Sequence, residues 1–164
     1  MKKTLSILLI VLLILTITGC HKKNEFDVDL KTDAYMSICE REDDSDGIKL
    51  STETTTNFNS DKYAINMKIK AVYKYETKES FDFYLEETKH TFDTYKKMKN
   101  VVFKYKVNKE KKTIKTLLVY KKFDLTDKNK ELYAYDTIIK SSLAENANCK
   151  SIDMKKKELS LKNE

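Results

Sequence analysis

The chain has no proline, no tryptophan, one arginine (Arg41) and two glycines (Gly19 and Gly47) in 164 residues. Without proline there is no polyproline linker and no proline-rich recognition segment. Two isolated glycines cannot build a glycine-rich loop that brings backbone N–H groups around a phosphate, so the Walker and dinucleotide-binding motifs are excluded. Of the 32 basic residues all but Arg41 are lysines. That removes the bidentate guanidinium contacts that favour base and phosphate reading, and no nucleic-acid partner is expected. What is abundant is aromatic: ten Tyr and seven Phe, more than a chain too polar to collapse would carry. The length suits one folded domain.

The first 20 residues carry the strongest signal. Lys2 and Lys3 form a short positive start, and Leu5 to Ile17 is apolar except for Ser6 and Thr16. A membrane span needs about 20 apolar residues, so this shorter run reads as the hydrophobic region of a secretory signal. It ends in Ile17-Thr18-Gly19-Cys20, which resembles the lipobox of bacterial lipoproteins. The resemblance implies that signal peptidase II cuts between Gly19 and Cys20. It also implies that the Cys20 thiol receives a diacylglyceryl group and that acyl chains such as palmitate hold the protein to the cell membrane, facing the extracytoplasmic side. Each buried methylene contributes about 0.8 kcal/mol, so two or more chains anchor stably. The expected organisation is a signal peptide at 1–19, a flexible tether at 20–33, a domain at 34–150 and a polar tail at 151–164. Loss of Lys2 and Lys3 lowers the formal charge from +6 to +4, too mild to dictate a partner.

Two cysteines remain, Cys39 and Cys149. In an exported protein an isolated even pair reads as a disulfide; the alternative is two buried thiols. Closing a loop of that length is worth about 4–5 kcal/mol in the chain-entropy picture.

Hydrophobic periodicity then sets the elements. A short strand is expected at 34–41, followed by an acidic turn, Glu42 to Gly47. Residues 48–58 alternate as a β-branched strand, and 63–75 alternate again. Phe81, Leu85, Thr88, Phe92 and Tyr95 recur at helical steps, predicting a helix over about 79–98 capped by Thr77 or Ser80. Strands follow at 101–107 and 114–120. Leu132, Tyr135, Ile139 and Leu143 predict a second helix at about 128–146, with a short edge strand at 152–161. The fold class is α+β: an antiparallel β-meander of about five strands packed by an amphipathic helix, with a second, C-terminal helix. The expected core is Phe81, Leu85 and Phe92 on Ile65, Met67, Ile69 and Phe103.

The lipobox, the Asp-Gly hairpin, the paired long strands, the helix and the closing VVFKYKVN…TIKTLLVY segment are together similar to the YehR-like small bacterial lipoproteins over about 48–125. The resemblance implies a compact α+β domain and no stated biochemical activity.

Candidate chemistry is sparse. Glu42-x-Asp44-x-Asp46-Gly47-x5-Glu53 resembles a calcium-binding EF-hand loop, in which Ile48 would lend a backbone carbonyl. Glu in place of the first Asp, Lys49 at an apolar position and strand-like flanks depart from that pattern. The bland reading is a solvated hairpin. His90, with Glu86 and Asp93 one turn away, offers a metal or acid–base pair or merely a solvated helix face. Lys68, Lys70, Lys74, Lys104, Lys106 and Lys115 fall on one phase of three strands. They suit an anionic partner, polymer or lipid headgroup, or else a face whose charge discourages edge pairing. No cofactor is expected. The functional expectation is a non-enzymatic, lipid-anchored binding or accessory module with an envelope protein or anionic polymer as partner. The alternative is a small surface-displayed enzyme or enzyme inhibitor.

Overall fold

A computed structural model describes residues 26–156. The signal peptide, Gly19, Cys20, the start of the tether and the end of the tail lie outside the described residues. Within them the chain runs β1 (Tyr35–Ser45), β2 (Ile48–Phe58), β3 (Ala64–Tyr75), α1 (Lys78–Tyr95), β4 (Val101–Asn108), β5 (Thr113–Tyr120), a 3-10 turn (Lys130–Tyr133), α2 (Tyr135–Ala144) and β6 (Asn148–Asp153). The six strands form one sheet in the order β4-β5-β3-β2-β1-β6, and every neighbouring pair is antiparallel. The α+β class and the antiparallel, meander-like sheet are as expected, with six strands where about five were expected. α1 carries the chain across the sheet to its edge, and β5 then returns between β4 and β3.

β1 ends four residues later than expected and absorbs most of the acidic turn. Asp46 and Gly47 alone turn the chain, both at positive φ (52° and 73°), the mirror-image geometry that suits a two-residue hairpin. Pairing therefore continues to Ser45↔Ile48. The acidic run tolerates the strand because Asp43 pairs with Arg41 (3.1 Å) and Asp44 with Lys49 (2.9 Å).

Thr77 caps α1, its side chain accepting from the Ser80 N–H. Only two residues separate β3 from the helix, so the first helical turn must sit over the end of β3. Phe81 meets Tyr75 edge-on, and the core is Tyr75, Phe81, Leu85 and Ile114, with Ile48, Tyr73 and Tyr105 against it. This corrects the expected core. Ile65, Met67 and Ile69 are only half-buried, and Phe92 and Tyr95 reach Tyr105 and Phe103 further along.

The second helix is also shorter than its apolar stripe implied. Ala134 is extended and bridges Tyr63, and the Tyr135 N–H donates to the Lys62 carbonyl, so the helix cannot start before Tyr135. Leu132 and Leu143 are 68% and 54% exposed; Tyr135 makes the inward contact, edge-on to Phe58. Both helices lie on the same face of the sheet.

β6 begins at Asn148, before the expected 152, and pairs with β1 through Asp153. It places Cys149 directly opposite Cys39 with 4.1 Å between the Cα atoms and the Sγ atoms at bonding distance. The pairing expected from the cysteine count is thus present, and it ties the first strand to the last.

Candidate functional site

The face of the sheet away from the helices holds the most distinctive arrangement. Strand alternation and register place Lys68, Lys70 and Lys74 of β3, Lys115 of β5, and Lys104 and Lys106 of β4 on it. Lys70 and Lys104 flank Leu117, and Lys106 stands directly across from Lys115. β3, β4 and β5 themselves contain no carboxylate. The acids lie beyond β3: Glu53 on β2, and Glu40, Glu42 and Asp44 on β1.

This face also carries Leu117 and Val119, both with 0% exposure. Neither helix can cover them. On this same face residues 26–33 lie across the sheet as an irregular strap, held at Lys106, Lys68, Lys70 and Asn66. Its first described residue, Phe26, sits under the Lys106 ammonium, 5.1 Å from ring centroid to Nζ. Asp27 accepts a hydrogen bond from Lys68 (3.0 Å) and pairs with Lys70 at 3.4 Å. Further along, the Lys31 carbonyl accepts from Asn66 Nδ2 (2.8 Å), and Asn66 Oδ1 accepts from Asn57 Nδ2 (2.7 Å). Both asparagines are buried, so the strap is fastened by a side-chain ladder shielded from water. Over residues 26–33 the expected free tether is therefore a docked element.

Charge at the strap is fixed rather than labile. Burial by itself would raise the Asp27 carboxyl. The hydrogen bonds from Lys68 and the Val28 N–H, with the charges of Lys68 and Lys70, outweigh it and hold the pKa below the ordinary aspartate value. Lys70 is likewise pushed up, burial being outweighed by Glu53 and Asp27.

The other sequence candidates fare differently. Glu42 and Asp44 are strand residues, Asp46 is in the turn, and Glu53 lies opposite Glu40 and pairs with Lys70 at 3.4 Å. The hairpin spreads three of these along paired strands and leaves Asp46 in a two-residue turn, so the EF-hand-like loop does not form. On α1, Glu86 is engaged by Lys89 (2.6 Å) and Asp93 by Lys96 (2.8 Å), rather than by His90. The hydrogen bond and charge of Lys96 lower the Asp93 pKa. Among the described residues no group of three or more His, Cys, Asp or Glu side chains could hold a metal ion.

A cleft of about 560 Å³ opens between α1 and the β4–β5 turn, floored by Phe81 and Leu85 and rimmed by Lys78, Asp82, Lys109 and Glu110. The rim pair Lys78–Asp82 is closed at 2.5 Å, and its hydrogen bond and charge raise the Lys78 pKa.

The strap was the site feature that sequence reading missed. A signal existed: Leu117 and Val119 fall on the lysine phase of β5, and buried apolar side chains there require a cover from some other segment. Among the described residues no helix is long and apolar enough to cross a membrane. Comparison with family models, with curated proteins and with solved structures finds no match to this chain.

Proposed function

We propose that this chain is a lipid-anchored envelope lipoprotein whose α+β domain serves as a non-enzymatic binding or accessory module outside the cytoplasm. The observation that carries the reading is the lipobox-like Ile17-Thr18-Gly19-Cys20 at the end of a 13-residue run that starts with Leu5. The placement of Cys39 and Cys149 at bonding distance supports an oxidising compartment, where such pairs persist.

The test is fractionation of cells expressing the full chain or its Cys20→Ala variant. The reading predicts the wild-type protein in the membrane fraction at its processed size, and the variant unprocessed. Equal processing and equal distribution of the two would reject it.

A further inference from the structure

We propose that the lysine half of the strapped face, β3, β5 and β4, is the surface the domain turns toward the membrane, and that its occupant is the anionic headgroups of phospholipids. The inference rests on the anchor reading and adds an orientation to it.

Three observations converge on it. The first is where the chain ends: the strap leads back from the Asn66 ladder over Lys68 and Lys70 and delivers Phe26 to Lys106. Cys20 is six residues earlier, which at full extension spans about 20 Å. A lipid attached there keeps this corner of the domain close to the bilayer.

The second is charge. β3, β4 and β5 contribute six lysines and no carboxylate of their own to the strap face. Asp27 engages Lys68 and Lys70, while Lys74, Lys106 and Lys115 are exposed around the strap. Juxtamembrane lysines of this kind are drawn to an anionic surface within a Debye length.

The third is the contrast with the opposite side. That face is covered by both helices, and the outer surface of α1 mixes signs: Lys78 with Asp82, Lys89 with Glu86. It offers headgroups no unipolar surface.

The experiment is lysine acetylation footprinting of the native full-length product on vesicles, read by mass spectrometry. Vesicles of phosphatidylcholine alone are compared with vesicles that also contain phosphatidylglycerol. Acetylation of Lys74, Lys106 and Lys115 is expected to fall about fivefold on the anionic vesicles, the factor expected for one headgroup contact per lysine. Lys78 and Lys89 on α1 should keep their rates. The Lys106→Gln/Lys115→Gln variant, changed only at exposed positions, should lose most of the protection at Lys74.

Equal rates on the two vesicle types, protection of all lysines alike, or full protection of Lys74 in the double variant would overturn the orientation. So would protection seen in intact envelopes but not on vesicles, which would assign the face to an anionic polymer instead. The same spectra report the mass of the Cys20 peptide. An unmodified Cys20 would defeat the anchor reading, and the pattern on added vesicles would then judge the surface by itself.

Discussion

Asn66 is the residue on which the strap depends. Its amide spans the sheet and the strap, accepting from Asn57 and donating to the Lys31 carbonyl. Asn66→Ala removes both bonds and leaves buried polar groups without partners. A loss of about 1–3 kcal/mol is expected, measured as a fall in the urea midpoint, with increased proteolysis near Lys31. Asp27 adds a pH dependence. Its pKa is depressed in the folded state. Its contribution is therefore complete above the ordinary aspartate value and is lost as pH falls through the lower, folded value. Acid titration below about pH 4 should loosen the strap before the sheet unfolds, read as faster amide exchange at residues 26–31. Asp27→Asn should abolish that acid step; an unchanged step would place it elsewhere. Nothing in the sequence around these residues announced them. The bonds span 35 and 41 residues, and a segment with no period of its own takes its order from its partners.

At the scale of elements, local signals were legible wherever local chemistry decides. The alternation in 48–58 and 63–75, the helical recurrence of Phe81, Leu85 and Phe92, and the Thr77 cap all lie where they were expected. Errors arose where a distant partner decided. The bridge from Ala134 to Tyr63 cuts the second helix short, and pairing with β2 extends β1 into an acidic run that by composition reads as loop. The hairpin gives a direct test. Gly47 has φ +73°, and a Cβ there would meet Glu76 only at ordinary contact distance, 3.5 Å. Backbone strain is then the main cost of Gly47→Ala, about 1–2 kcal/mol. Asp46→Asn, which keeps a side chain tolerant of positive φ, should leave the melting temperature nearly unchanged. Equal losses from both would show that the turn geometry is not what holds β1 and β2 in register.

For the whole molecule, three long-range fastenings close the sheet: β5 between β3 and β4, β6 against β1, and the strap across the open face. The Cys39–Cys149 pair spans 110 residues of sequence. Cys39→Ser/Cys149→Ser should cost up to about 4–5 kcal/mol and increase amide exchange in β6 more than in β3. The functional core of the account is that a thiol six residues ahead of the strap carries lipid. The most direct measurement is the intact mass of the protein isolated from its native membranes. The account predicts a chain that starts at Cys20, heavier than the polypeptide by a diacylglyceryl group. A product that retains residues 1–19 with an unmodified Cys20 would contradict it.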